Sequence, residues 1–139
     1  MPSIRYQRLA SEQLPLANKF YKSQRSPMRV GRSEQVWVAQ QAEIIAACCL
    51  KPVADGHWLT ALLVAREQRQ QGIASQLLNE LRAHSQGPIW LFCAPELLSF
   101  YQRLGFAPCP ALPAELTERL LRYQLKQPLL ALATKPACG

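Results

Sequence analysis

At 139 residues, with 49% hydrophobic and 18% charged side chains, the chain has about the length of one ordinary domain and enough apolar surface to bury a core, which excludes both a disulfide-stapled miniature and wholesale disorder. Sixteen Lys and Arg against nine Asp and Glu leave a formal charge of +7, which points to an anionic partner. The longest apolar runs, Ile44 to Leu50 and Leu129 to Ala133, are too short to span a bilayer, and Arg5 and Arg8 interrupt a start that lacks the apolar block of a secretory leader, so a cytoplasmic protein without a membrane partner is expected.

There is no internal repeat, low-complexity tract or dividing linker, so residues 1–139 are read as one domain with the eleven prolines as punctuation inside it. A short strand near Ile4 to Leu9 leads into a helix from about Ser11 to Ser23, where Leu14, Ala17, Phe20 and Tyr21 recur at helical spacing. Lys19, Lys22, Arg25, Arg29 and Arg32 then fall in a window without an acid. That window is either a solvated face or an anion-attracting rim. Val36, Val38 and Ile44 to Leu50, divided by Gln40 and Gln41, predict an antiparallel hairpin. Asp55 and Gly56 mark a turn before Trp58 to Val64, whose nearly unbroken apolar run predicts a fourth strand covered on both faces.

From Ile73 the period changes. Ile73, Ala74, Leu77, Leu78 and Leu81 form one helical stripe, with Gln76, Asn79, Glu80 and Arg82 opposite. Gly87 and Pro88 end that connection, Ile89 to Cys93 make a fifth strand, Pro95 sits at the first turn of another helix, and Gly105 closes it. Leu116, Leu120 and Tyr123 predict a further amphipathic helix, and Leu129 to Thr134 a last strand. Antiparallel pairs followed by alternating strands and helices make a mixed α/β or α+β sheet the economical fold. Cys48, Cys49, Cys93, Cys109 and Cys138 contain no C-x-x-C pair, so buried reduced thiols are expected, with neither a disulfide framework nor a metal site.

The join between the fourth strand and the long helix, Leu62 to Leu78, carries the strongest signal. The helix starts at Gly72 with no Ser, Thr, Asp or Asn in the capping position, so its first N–H groups lack an evident side-chain partner. An anion satisfies them, since the free N–H groups and the positive end of the helix dipole both point at it, and Gly72 permits close approach. Arg66, Arg69 and the Ser75 hydroxyl can add charge and a hydrogen bond. The competing account is that Gly72 is itself an adequate cap, with water doing the rest. Neither G-x-x-x-x-G-K-[ST] nor G-x-G-x-x-G is present, so nucleoside triphosphatase and dinucleotide-binding chemistry lack support.

This region resembles the GNAT superfamily of acyl-coenzyme A-dependent N-acetyltransferases. The family's Arg or Gln, two residues, Gly, one residue, Gly or Ala matches Arg69, Gly72 and Ala74 behind a strand ending at Val64, and F-Y-Q-R-L-G-F from Phe100 to Phe106 matches its later helix and Gly-Phe turn. The resemblance spans about Trp58 to Phe106. It implies the GNAT fold, a mixed and mostly antiparallel central sheet splayed between strands four and five and flanked by helices. It also implies acetyl-CoA as acetyl donor. By that likeness the backbone of Leu62, Leu63 and Val64 pairs with the pantetheine arm. The N–H groups around Arg69, Gln70, Gln71, Gly72, Ile73, Ala74 and Ser75 hold the diphosphate, an N–H near Val64 stabilises the oxyanion, and Tyr101 protonates the leaving thiolate or donates a hydrogen bond to it. Plain core packing for Leu62 to Val64, and aromatic packing of Tyr101 beside Leu97, Leu98 and Leu104, stand as alternatives.

Two positions depart from the family pattern: Ala94 replaces an Asn that contacts the cofactor in many relatives, and Ile89 stands where relatives acting on protein N-termini often carry a Glu base. Without a strong base, deprotonating a lysine-like amine at pH 7 costs about 4.6 kcal/mol and an α-amine about 1.4 kcal/mol, so a low-pKa amine is the easier acceptor. His57, Glu34 and Glu96 are base candidates, and Cys93 is a nucleophile or, more simply, a small core residue. The expected activity is transfer of acetyl to a primary amine, small molecule or peptide, by direct attack in a monomer or homodimer. A catalytically weak acyl-CoA-binding regulatory module is the alternative. Nucleic acid is not expected as a partner, because only Phe20 and Tyr21 interleave with the cations.

Overall fold

The computed structural model describes residues 3–31 and 33–134. Its elements in chain order are β1 (Arg5–Arg8), α1 (Leu14–Ser23), β2 (Gln35–Gln40), β3 (Ile44–Val53), β4 (Gly56–Val64), α2 (Ile73–Ala83), β5 (Ile89–Cys93), α3 (Leu98–Arg103), β6 (Phe106–Pro108), α4 (Ala114–Gln124) and β7 (Leu130–Thr134). The strands take the order β1-β2-β3-β4-β5-β7-β6. Pairing is antiparallel from β1 to β2, β2 to β3, β5 to β7 and β6 to β7, and parallel from β4 to β5, so the expected mixed, mostly antiparallel sheet is the observed one. The parallel ladder holds just two partner pairs, His57↔Ile89 and Trp58↔Trp90. The chain divides into two compact units, one from the described residues up to Lys51 with Leu59–Ser85, the other from Pro52–Trp58 with the described residues from Gln86 onward.

In the first unit β2 and β3 are covered on both faces. The register sets Trp37 opposite Cys48 and Val36 opposite Cys49, so the two pairs point to opposite sides of the sheet. The Trp37 ring meets His84 at the end of α2 at 5.7 Å between centroids, while the Tyr21 hydroxyl of α1 lies 3.8 Å from Cys49 Sγ. One helix therefore packs on each face, which is why Ile45 through Leu50 are all buried and why the β3 sequence is apolar without alternation. From α2 the buried stripe is Ile73, Leu77, Leu78 and Leu81, and from α1 it is Ala17, Phe20 and Tyr21.

The second unit builds its core around Val53, Trp58, Trp90 and Leu116, with Phe92, Cys109, Leu112 and Ala133 against it. Arg119 of α4 lies over Trp58, its Cζ 4.7 Å from the ring centroid. Gly56 and Pro88 meet where β4 and β5 begin: His57 N–H donates to the Pro88 carbonyl at 3.0 Å, and a Cβ on Gly56 would overlap that carbonyl, so only glycine lets the two chains approach there.

Four expectations need correction. The fourth strand is not covered on both faces throughout, because Trp58 and Leu59 are buried but Thr60 to Val64 are only half-buried. Its regularity also breaks at Ala61, which has φ 56°. The first helix opens with a 3-10 turn at Ser11–Gln13 and becomes α-helical at Leu14, with Pro15 in its first turn. Pro95–Leu97 likewise form a 3-10 turn ahead of α3. Cys48, Cys49 and Cys93 are buried as expected, Cys109 is half-buried, and Cys138 lies outside the described residues. The short β6 has no counterpart in the sequence reading, since three residues ending in proline show no periodicity.

Candidate active site

In the first unit β4 leads into a turn tied down at several points. Ala65 N–H donates to the Ile45 carbonyl at 2.7 Å, and Arg66 N–H donates to Gln24 Oε1 at 3.0 Å. Arg66–Gln68 form a 3-10 turn, and Arg69 Nε donates back to the Val64 carbonyl at 3.2 Å. Arg69 thus ties the loop back to the end of β4. Gln70 with φ 67° and Gly72 with φ 76° both hold left-handed backbone. For Gln70 that conformation is uncommon; at Gly72 the backbone angle and not crowding favours glycine, because the space where a Cβ would stand is empty to 4 Å.

α2 then starts at Ile73 with no side-chain cap hydrogen bond and no acidic residue in its first turn. Its first internal bond runs from Gln76 N–H to the Gly72 carbonyl at 3.0 Å. The amides of Ile73, Ala74 and Ser75 precede that donor, so they are the orphan N–H groups of the helix start, and the dipole adds positive potential where they point. Arg69, Gln70, Gln71 and Gly72 are exposed, Ala74 and Ser75 half-buried, and Ile73 buried as the first residue of the core stripe. The result is an electropositive turn able to take a phosphate. Upstream, Leu62, Leu63 and Val64 are half-buried. A surface groove of about 420 Å³ adjoins the first half of the turn, lined by Phe20, Ser23, Gln24, Ala65, Glu67 and Gln68 among others.

Tyr101 belongs to the second unit. It lies on α3, half-buried, with its ring edge-on to Phe100 at 5.0 Å and to Phe106 at 5.9 Å. The F-Y-Q-R-L-G-F motif therefore folds its three aromatic rings onto one another. Gly105, with φ 94°, donates its N–H to the Gln102 carbonyl at 3.1 Å and closes the helix as expected. Ala94 precedes the 3-10 turn, its carbonyl accepting from Leu97 N–H at 2.9 Å, and its methyl group supplies no hydrogen bond to a cofactor.

Among the other candidates, Cys93 is buried, and burial together with the nearby Glu96 carboxylate raises its thiol above the ordinary range, which disfavours the thiolate that a nucleophile needs. Glu96 is exposed and His57 half-buried at the start of β4. Glu34 is half-buried, and both carboxylate oxygens accept hydrogen bonds: Oε1 from Gly31 N–H and Oε2 from the Thr60 hydroxyl at 3.4 Å. Tyr21, read from sequence as part of a helical stripe and as one of two aromatics among the cations, sends its hydroxyl to the Ala61 carbonyl at 2.7 Å. Nothing in a run of apolar letters announces the left-handed backbone at Ala61, whose carbonyl receives it. In the basic window Lys19, Lys22, Arg25 and Arg29 are all exposed, and Arg32 lies outside the described residues. Among the described residues no group of His, Cys, Asp and Glu could hold a metal ion, and no helix is long and apolar enough to cross a membrane.

The model of the acetyltransferase (GNAT) domain matches residues 32–108, more than half of the chain. The chain belongs to the GNAT acetyltransferase family. Solved structures agree on the fold. Escherichia coli ElaA superposes with a TM-score of 0.68 at 16% identity over 96% of this chain and 100% of its own. Arabidopsis thaliana Naa50, in complex with the bisubstrate analogue CoA-Ac-MVNAL, gives 0.65 at 16% identity over 96% and 99%. N-acetylglutamate synthase from Neisseria gonorrhoeae, complexed with coenzyme A and N-acetyl-glutamate, gives 0.70 at 14% identity over 99% of this chain but only 36% of its own. No curated protein matches the sequence.

Proposed function

We propose that the protein is an acetyl-CoA-dependent N-acetyltransferase, one functional domain acting as monomer or homodimer, that acetylates a primary amine of a small molecule or peptide by direct attack. The observation that carries this reading is the start of α2: three orphan amides, a left-handed Gly72 with open space beside it, no acid in the first turn and no side-chain cap. Those features fit a diphosphate. Gln70, Gln71, Gly72, Ile73, Ala74 and Ser75 line the phosphate turn, and Arg69 adds charge while its bond to Val64 shapes the loop. The backbone of Leu62, Leu63 and Val64 would pair with the pantetheine arm, and an N–H near Val64 would donate to the developing oxyanion. Acetyl-CoA, when bound, supplies an activated thioester. Tyr101 donates its hydroxyl proton, or a hydrogen bond, to the departing sulfur.

Naa50 in complex with a peptide-bearing bisubstrate analogue and N-acetylglutamate synthase with its product support an amine acceptor in this fold without naming the one used here. Ala94 favours a second reading, an acyl-CoA-binding regulatory module, because it offers no side-chain hydrogen bond to the cofactor. A thermal-shift titration with acetyl-CoA tests the cofactor turn, and thiol release across a panel of amines separates the two readings. An enzyme gains melting temperature with acetyl-CoA and releases thiol with at least one amine; a module gains melting temperature alone; no gain overturns both.

A further inference from the structure

Ile89, at the start of β5, offers no carboxylate. In the first unit a carboxylate is nevertheless fastened to β4. Glu34, one residue ahead of β2, receives the Thr60 hydroxyl on Oε2 and the Gly31 amide on Oε1. One residue beyond Thr60, Ala61 takes left-handed backbone with φ 56°, held by the Tyr21 hydroxyl on its carbonyl. A non-glycine residue in that region in the middle of a strand is strained, and strain of this kind collects at functional sites.

The groups around Glu34 do not compete for its charge. Tyr21 on α1 is pushed far above the ordinary phenol range, by burial first and then by the neighbouring Cys49 and Cys48 thiols and Glu34. Cys49 on β3 is pushed up to about 12 by burial and by Glu34. Both stay neutral near pH 7, and β4 contributes only the Thr60 hydroxyl. Among the described residues no cation forms an ion pair with Glu34. A half-buried carboxylate is stabilised by a cation, and the ammonium of an incoming amine can supply one. Thr60 lies two residues before Leu62, where the proposed acyl arm begins.

We propose that Glu34 is the acceptor-side base: its carboxylate, fastened to β4 beside the left-handed Ala61, receives the ammonium of the incoming amine and relays its protons to solvent. The assignment rests on the acetyl-transfer reading above. In the step, the nitrogen lone pair bonds to the thioester carbonyl carbon, and the carbon–sulfur bond breaks with its electron pair leaving on sulfur. The nitrogen loses two protons through Glu34, and the sulfur gains one from Tyr101 or water. The products are the amide, the free thiol and one proton in solvent.

The experiment follows thiol release against pH for the wild type, Glu34→Gln and Glu34→Asp, with acetyl-CoA and primary alkylamines or amino-acid amides as probes. Glu34→Gln is expected to lower kcat/KM by about 10²-fold near pH 7. Its rate should climb about tenfold per pH unit up to the amine's own pKa, where the wild type reaches its plateau earlier, and Glu34→Asp should recover part of the loss. Melting-temperature protection by acetyl-CoA should be equal in all three. Wild-type rate and pH profile in Glu34→Gln would overturn the role of Glu34 alone, whereas no acetyl-CoA protection in the wild type would overturn the underlying reading. Should Glu34→Gln fail to fold, Thr60→Val keeps the charge and removes its tether: a several-fold fall in kcat/KM supports the assignment and an unchanged value overturns it.

Discussion

Ala61 is held in an unfavourable backbone region by a single phenol. The Tyr21 side chain is wholly buried, and its hydroxyl meets the Ala61 carbonyl at 2.7 Å. Tyr21→Phe removes that donor and leaves a part-buried carbonyl unsatisfied, so the expected loss is about 1–3 kcal/mol in urea unfolding, with the m-value unchanged. The Cys49 thiol sits beside the same phenol with its pKa pushed up to about 12 from 9.0 by burial first. The folded state therefore keeps a proton that the unfolded chain gives up, and stability present below about pH 9 is lost as pH rises toward 12. Melting temperature should fall across that window, and Cys49→Ala should flatten the fall. Tyr101 makes a different demand: Tyr101→Phe keeps the ring packed between Phe100 and Phe106 and removes the proposed proton donor. The expected result is a drop of about 10²-fold in thiol release with acetyl-CoA protection intact; an unchanged rate would end its acid role.

At the scale of elements, α2 is a helix whose two ends serve different purposes. Its buried stripe, Ile73, Leu77, Leu78 and Leu81, anchors it, so its start can stay uncapped. Gly72 is the hinge of that arrangement. Gly72→Val places a β-branched residue at φ 76°, where L side chains are strained. Acetyl-CoA should then give no rise in melting temperature, although the helix remains anchored by its core face. The opposite case is Leu77, fully buried mid-helix, where Leu77→Ala should cost about 2–5 kcal/mol of stability through the cavity it leaves. The two halves of β4 differ similarly: a buried beginning, Trp58 and Leu59, serves the core, and a half-buried end, Thr60 to Val64, contains the segment proposed to pair with the acyl donor.

For the molecule as a whole, the charge of +7 and the exposed Arg66 and Arg69 at the proposed phosphate turn would make binding of a polyanionic donor sensitive to salt. The dissociation constant of acetyl-CoA should rise several-fold between about 50 and 500 mM salt as exposed charges are screened, while an uncharged acetyl-pantetheine thioester should show little change. Equal slopes for the two would mean that the cations play no part in binding.

The strand and helix order, the hairpin and the helix stripes were legible in the letters, because period-2 and period-3.6 patterns are local properties of a chain. So was the start of α2: a missing cap and a lone glycine are visible without coordinates. The left-handed residue inside β4, the half-covered end of that strand, the pairing of β6 and the carboxylate of Glu34 on Thr60 were not. Each depends on residues far apart in sequence. Glu34 and Thr60 are 26 positions apart and Tyr21 and Ala61 are 40, and such contacts are decided by how packed elements meet, which no local periodicity encodes.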